Sequence, residues 1–297
     1  MRPRSLFVFE YLTGGGAAQD GVADPALWAM GRAMRDAVAR DAAALPGWQV
    51  TVATAVRPVC SPGPGGPATT TATATTAAEQ RRAPAPAGCQ PSAATQDETV
   101  ADHVARQAAQ HSATLLIAPE TGGLLATLQA LVPAERWGGC SPAAIALASR
   151  KAATLAWLHR HGVATPLALA GRARLLALNH QQVDLDPDGR LAYGGVRPLA
   201  TSADHPRWAA AAALVQQVAA CVPGLRGFWG LDVVWHAQAG AVVIELNPRL
   251  TCAYVGLSAR CGQNLAGLLL AGLGVNGDPQ AAPATHSGPP AEADAHG

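Results

Sequence analysis

The chain has 297 residues, of which 49% are hydrophobic and only 14% are charged, and its formal net charge is +1. This length suffices for two domains. A binder of nucleic acid or of an anionic membrane surface would carry a basic surplus, so we expect neither partner. No apolar run approaches the roughly 20 residues of a membrane span. Six cysteines without zinc-site spacing predict a protein of the reducing cytoplasm.

Residues 1–137 predict a parallel α/β domain, because strands and helices alternate along them. Asp24-Pro25 supplies an N-cap and a proline at the first position of the first helix. The glycine loop after the first strand lacks the G-x-G-x-x-G spacing, so no dinucleotide site is predicted. In chain order, we expect strands at 6–12, 49–56 and 113–118 and helices at 24–44, 97–110 and 124–131.

The segment from Ser61 to Thr95 interrupts this pattern with a Pro-Gly run, a Thr/Ala tract and an Ala-Pro repeat. It offers no periodic apolar face that could offset the entropy of ordering it. We therefore expect a disordered insertion at residues 61–95, with a partner-binding arm as the functional alternative. The composition of residues 276–297 predicts a disordered tail for the same reason.

Residues 138–275 form the second predicted domain, which is of the α+β type. Ser141 can cap a helix that has Pro142 at its first position. We expect this helix to continue to His161, with Lys151 inside it and Gly162 just past its end. The later predicted elements are strands at 174–178 and 182–184, a turn at 186–189, a helix at 207–221, a β-hairpin and a closing helix at 264–273.

The hairpin consists of two apolar, β-branched runs on either side of a short turn at residues 237–240. A four-residue loop pairs His236 with Ala241 and, counting back, sets Asp232 opposite Glu245. Two carboxylates placed opposite each other repel, because their Cβ atoms lie roughly 5 Å apart. A bound cation removes this conflict, whereas the alternative is a hairpin whose polar face is merely solvated.

Asn247 shares the face of Glu245, and its opposite number Gly230 is expected to leave open space. Mg²⁺, for which Mn²⁺ is an alternative, prefers oxygen ligands such as one or two carboxylates and phosphate oxygens. The predicted metal site therefore consists of Asp232, Glu245 and Asn247. Arg249 adds a planar set of donors for a phosphate.

The run from Gly230-Leu-Asp232 through Glu245-Leu-Asn-Pro-Arg249 to Gly256 resembles the metal-binding end of the ATP-grasp superfamily. That superfamily includes D-alanine–D-alanine ligase and carbamoyl phosphate synthase. The match is specific because it requires both an Asp and a Glu-x-Asn-x-Arg motif, separated by a fixed number of residues.

A second stretch, from Gly139 to Lys151 with Gly162-Val-Ala-Thr-Pro166 after it, is also similar to this superfamily. The resemblance implies that Lys151, the only lysine of the chain, touches the nucleotide phosphates. Arg150 stands where the family commonly has Asp. A solvated helix lysine without a function is the alternative.

Three shorter motifs are most similar to the tyramine–L-glutamate ligase group, which serves methanofuran biosynthesis in archaea and its counterpart in methylotrophic bacteria. They are Phe7–Gly16, Ala118–Gly123 and Asn247–Thr251. The family also has a lid subdomain with a second ATP-binding lysine after its Gly-Val-x-x-Pro motif. Here Gly171–Asn179 follows within a few residues and looks like sequence downstream of the lid. The resemblance therefore implies a truncated ATP-grasp domain.

The function implied is that of a Mg-ATP-dependent carboxylate–amine ligase that acts through an acyl phosphate. In this interpretation Lys151, Asn247 and Arg249 bind ATP, and Lys151 and Arg249 offset charge on the transferred group. The partners are then a small-molecule carboxylate and an amine, glutamate and tyramine if the subgroup holds, and a homodimer is left open. The alternative is a catalytically impaired paralogue with a binding or structural role.

Overall fold

A computed structural model of the chain describes residues 4–16, 25–55, 84–162, 173–185, 191–238 and 240–273. Several predicted features lie outside the described residues. They are the cap at Asp24, residues 61–83 of the insertion, the region at 163–172 where the lid is expected, the turn at 186–189 and the tail at 276–297.

Four strands form a parallel sheet in the order β3-β2-β1-β4. The α/β class predicted from the alternation of strands and helices is therefore confirmed. The elements of this part are β1 (Arg4–Glu10), α1 (Pro25–Ala43), β2 (Trp48–Ala53), β3 (Cys89–Ser92), α2 (Val100–Gln110), β4 (Ala113–Ile117) and α3 (Leu124–Gln129).

Residues 84–95 are partly built into this sheet, so the prediction of a disordered insertion is wrong for them. Their strand β3 pairs in parallel with β2. Arg35, which is fully buried on α1, donates to the carbonyl oxygens of Pro84 at 2.9 Å and Ala53 at 3.1 Å. Composition did not reveal β3 because it is a short edge strand with two exposed residues, where even Pro91 is tolerated.

Two helices, α4 (Pro142–Ala148) and α5 (Lys151–Arg160), replace the single helix expected here. Ser141 caps α4 as predicted, since its Oγ accepts a hydrogen bond from the Ala144 amide. The helix is interrupted at residue 150, whose backbone is not helical. Nearby, the hydroxyl of Thr154 donates to the Leu147 carbonyl oxygen at 2.7 Å. The same carbonyl oxygen also accepts from the Arg150 amide at 3.0 Å, so the side chain reinforces the end of α4 in place of the bond that a continuous helix would make. Lys151 is therefore the first residue of a helix and not an interior one.

Two antiparallel hairpins follow: β5 (Leu178–Leu185) with β6 (Leu191–Ala200), and β7 (Gly230–His236) with β8 (Gly240–Asn247). Helix α6 (Trp208–Cys221) connects them, and α7 (Leu257–Cys261) and α8 (Leu265–Gly272) close the described chain. Within the described ranges, every helix falls short of the length and apolarity that crossing a membrane requires.

The later half of the chain packs on both faces of the parallel sheet. One core joins Phe7 and Phe9 of β1 to helices α4 and α6 and to Leu246 of β8. The other core joins Leu6 of β1 and helix α1 to Leu269 of α8. The domain boundary between residues 137 and 138 stays a prediction, because the residues on its two sides share their cores.

Asp41 on α1 connects the first helix to the segment that follows the second hairpin. Its carboxylate accepts hydrogen bonds from the hydroxyl groups of Tyr254, at 2.6 Å, and Ser258. Its carbonyl oxygen accepts another from the side-chain amide of Asn264 at 2.6 Å. Burial and the hydrogen bond to Asp41 raise the pKa of the Tyr254 hydroxyl. These contacts hold the end of β8 beside the first half of the chain.

The substitution Arg35→Met tests how residues 84–95 are held. It leaves Asp36, whose side chain is 7% exposed, without the guanidinium at 2.7 Å, and it leaves two carbonyl oxygens without their donor. Breaking such a buried pair costs about 3–5 kcal/mol. We expect a loss of this size in the free energy of unfolding, measured with urea. Arg40→Met is the control, because it removes from the same carboxylate only a 3.8 Å contact made by a 63% exposed side chain. Equal midpoints for the two variants would contradict the assignment.

Candidate active site on the second hairpin

The second hairpin sets Asp232 opposite Glu245, as the sequence predicted. It does so through a different register at the turn, where His236 pairs with Gly240 and not with Ala241. Gly240 has φ of 70°, a conformation that suits glycine and shortens the loop by one residue. A bulge between Asp232 and Val233 restores the register. The predicted pairing of the carboxylates is confirmed, and the predicted pairing at the turn is wrong.

Hydrophobic contacts determine which face of the hairpin carries the polar residues. Leu231 pairs with Leu246, which is 2% exposed, and both pack into the core shared with α4 and α6. Because side chains alternate along a strand, Asp232 and Glu245 are directed to the other face. We call these two residues the carboxylate pair.

Asn247 lies next to the carboxylate pair, opposite Gly230. Its side chain lies close enough to Asp232 to lower the pKa of that carboxyl group. The space at Gly230 is not open as expected, since an added Cβ would lie 3.1 Å from Cγ2 of Thr251. Glycine is thus needed here because the chain after β8 folds back closely over β7.

Burial and the neighbouring charge of Glu245 raise the pKa of Asp232 above its ordinary value. The side chain of Asn247, a hydrogen bond from Gln181 and the charge of Arg249 act in the opposite direction. Like charges therefore oppose each other across the two strands, and a cation between them would lower the energy of both ionised forms. Two carboxylates with an adjacent amide oxygen are a donor set that fits Mg²⁺ or Mn²⁺.

Lys151 contacts the carboxylate pair directly. Its Nζ lies 3.1 Å from Oε1 of Glu245, although its side chain is 69% exposed. The break between α4 and α5 makes this possible, because it brings the first turn of α5 to β8. The N-terminus of α5 and the lysine thus both present positive charge beside the pair.

Arg249 forms an ion pair with Glu120, in the loop after β4. Its Nε lies 2.8 Å from Oε1, and a terminal nitrogen donates to Oε2 at 3.2 Å. The two side chains are 21% and 14% exposed, so the pair is largely shielded from water. The short Nε contact is not well aligned for a hydrogen bond, and we describe it as an ion pair. The first half of the chain thereby contributes a charged residue to the site.

Two residues of this site, Glu120 and Gln181, were not among the predicted ones. Gln181 on β5 donates through Nε2 to Oδ1 of Asp232 at 2.9 Å. Glu120 lies within the Ala118–Gly123 motif. An acidic side chain in this Pro- and Gly-rich loop could have indicated a site residue. Gln181 carries no comparable signal. Among the described residues no group of three His, Cys, Asp or Glu side chains could hold a metal ion, which leaves the carboxylate pair and an amide as the donors.

Two family models match the chain. The pre ATP-grasp 3 domain matches residues 72–145, and the ATP-grasp domain matches residues 163–253. The first match includes β3, β4 and the Glu120 loop, and the second includes both hairpins and all three predicted metal ligands.

One solved structure supports the same fold. It is a crystal structure of a protein from Archaeoglobus fulgidus described as an ATP-grasp superfamily protein, with 21% sequence identity and a TM-score of 0.54. The alignment covers 90% of this chain and 88% of that one. No curated protein matches the chain.

Together, these matches show similarity to ATP-grasp domains over residues 72–145 and 163–253, and the solved structure shows a shared fold. They do not confirm the tyramine–L-glutamate ligase group, which remains a hypothesis based on the short motifs.

The contact between Lys151 and Glu245 predicts competition between lysine and metal. Removing the ammonium by Lys151→Met should strengthen Mg²⁺ or Mn²⁺ binding to the nucleotide-free protein, because the cation no longer meets a positive charge at Glu245. Since the lysine is exposed, the gain should be at most about fivefold. Direct metal titration measures it, with Lys151→Arg as the charge-preserving control. Weaker metal binding in Lys151→Met would contradict the prediction.

The contact between Glu120 and Arg249 predicts coupling between the two halves of the chain. In a double-mutant cycle of Glu120→Ala and Arg249→Ala, unfolding free energies should show an interaction of about 1–3 kcal/mol, because the pair is mostly shielded. The exposed contact of Glu135 with Arg136, at 4.0 Å, provides a control cycle that should give almost none. Additive effects at Glu120 and Arg249 would show that the pair does not hold the halves together.

Proposed function

We propose that this chain is a Mg-ATP-dependent carboxylate–amine ligase. ATP-grasp domains imply ATP-dependent ligation of this type, and they generally bind ATP with divalent metals. The observation that carries the proposal is the carboxylate pair opposed across β7 and β8, with Asn247 beside it and Lys151 on Glu245. A solvated polar hairpin would not set two carboxylates opposite each other at a place where burial and the neighbouring charge raise the pKa of Asp232.

Asp232, Glu245 and Asn247 would hold the divalent ion. The ion would offset negative charge on the phosphates of ATP. The ammonium of Lys151 would turn from Glu245 to a phosphate oxygen once the ion neutralises that carboxylate. The gain is electrostatic, since a fixed positive charge beside the transferred group stabilises the charge that develops on it.

Arg249 has a different position from the one expected of a free phosphate ligand. Its guanidinium is held by Glu120 at the junction between the parallel sheet and the hairpin. A planar guanidinium can keep one edge on a carboxylate and offer its other nitrogen to a phosphate or substrate oxygen. Glu120 would thus position Arg249 and keep it from closing onto the carboxylate pair.

In the proposed reaction a carboxylate substrate takes the γ-phosphoryl group of ATP and becomes an acyl phosphate. The nitrogen of an amine then attacks the acyl carbon, the C–N bond forms and inorganic phosphate leaves. Glutamate and tyramine are the substrates suggested by the short motifs. They are the first pair to test.

A second candidate function is that of a catalytically impaired paralogue that binds metal or a partner. The observation favouring it is that Lys151 is the only lysine in the whole sequence, so the second ATP-binding lysine of the family is absent. A lost charge-assisted contact is worth about 1.5–3 kcal/mol. ATP affinity should then be at least about a hundredfold below that of a complete relative if two such contacts are missing.

Two assays separate the candidates. Calorimetry with Mg-ATP measures nucleotide affinity, and release of ADP with glutamate and tyramine present measures ligation. If the first candidate is right, ADP release requires both substrates. It should then fall at least about a hundredfold in Asp232→Asn and Glu245→Gln, as loss of transition-state electrostatics does. Asp204→Asn, which removes an exposed carboxylate that accepts a hydrogen bond from the Ser202 hydroxyl outside the proposed site, is the matched control. If the protein binds metal but releases no ADP with any acid and amine tested, the second candidate is favoured.

A further inference from the structure

A cavity of about 530 Å³ opens between the start of β5, the end of β6, α6 and α7. A volume of this size suits a small metabolite. Its wall is partly apolar, with Leu175, Leu176 and Trp208, and partly made of hydrogen-bonding groups. Neither the predicted site residues nor the roles proposed above use this cavity, which we call the arginine cavity.

The described lining of the arginine cavity contains two cations, Arg174 and Arg260, and no acidic residue. The nearest acid connected to it by a hydrogen bond is Asp204, which accepts from the Ser202 hydroxyl at 2.8 Å. The larger groove along α1, about 790 Å³, is different because its arginines face Asp36 and Asp41 in the same lining. An anion therefore gains more in the arginine cavity than in the α1 groove.

Arg260 is incompletely paired where it lines the cavity. Its Nε is buried and has no hydrogen-bond partner. Its terminal nitrogens make only long contacts, 3.4 Å to the Ala253 carbonyl oxygen and 3.5 Å to Oδ1 of Asn179. Arg174 has one side-chain partner here, the neutral Gln263 at 3.1 Å. A buried guanidinium nitrogen usually has a carboxylate or phosphate as its partner, so Arg260 retains capacity for an anion at Nε. Arg174 is exposed and retains capacity because its side-chain partner is neutral.

The arginine cavity connects to the carboxylate pair through one strand. Asn179 contacts Arg260, and Gln181 donates to Asp232. Both belong to β5, and no register shift falls between them. Residues two apart on a strand share a face and are separated by about 7 Å. Neither residue lines the cavity itself, so β5 links Arg260 of the cavity to Asp232 of the carboxylate pair through two side-chain contacts.

We infer that the arginine cavity is the subsite for a second anionic group of the acid substrate, held by Arg174 and Arg260. This rests on the proposed function. The carboxylate that reacts would lie beside the carboxylate pair, whereas the contacts of Arg174 and Arg260 are with Gln263, Asn179 and Ala253 and not with that pair. These arginines therefore serve an anionic group elsewhere on the same molecule, and the apolar wall accommodates the carbons between. The substrate class is an acid with two anionic groups.

Calorimetry with non-reacting acids tests this inference. Glutarate is compared with its monoamide, which has the same length and one charge fewer, both with and without Mg²⁺ and a non-hydrolysable ATP analogue. We expect glutarate to bind at least tenfold more tightly than the monoamide. Arg174→Gln and Arg260→Gln should each remove at least tenfold of the glutarate affinity. Arg40→Gln, which removes a charge from the α1 groove, should leave it unchanged.

Arg174 is exposed, so its variant is expected to fold, and thermal unfolding checks Arg260→Gln. Equal binding of glutarate and its monoamide, or an effect of Arg40→Gln alone, would overturn the inference. Weaker binding of the ATP analogue in the arginine variants with unchanged glutarate binding would also overturn it and leave the proposed function intact. Glutarate binding without any nucleotide binding would instead contradict the proposed function and support the anion subsite.

Discussion

The repulsion between Asp232 and Glu245 is the constraint on which the site depends. Leu231 and Leu246 pair on the other face and are held in a core, so the two carboxylates cannot turn away without exposing apolar surface. Their charges must be balanced by something else. The chain places Lys151 on one carboxylate and lets the charge of Arg249 act on the other. In the proposed function, a divalent ion would complete the balance.

The pairing of these carboxylates survives a change at the turn because the core specifies it. A one-residue shift in the loop would by itself direct every side chain of β8 to the opposite face. The bulge after Asp232 absorbs this shift, and Ile244, the extra residue that it leaves unpaired on β8, is 46% exposed. Burial of Leu246 thus outweighs regular pairing, because losing a buried leucine costs more than one irregular strand contact.

The parallel sheet and the second hairpin act as one unit. Arg249 binds Glu120 at the carboxyl end of β4, and Asp41 holds Tyr254 on the far side of the same segment. Loops at the carboxyl ends of parallel strands are where α/β proteins bind ligands. In the proposed function the first half of the chain would therefore be part of the site, because Glu120 holds the guanidinium of Arg249.

The sequence alone determined the parallel α/β class, the hairpin and the opposition of Asp232 to Glu245, because these follow from local periodicity and strand pairing. The tertiary structure decided the contacts that the periodicity of the sequence does not indicate. Edge strand β3 needs no apolar face, so only its pairing with β2 and the buried Arg35 reveal it. Likewise, Glu120 meets Arg249 across 129 residues, and no local pattern reports a contact formed by packing two distant segments against a shared core.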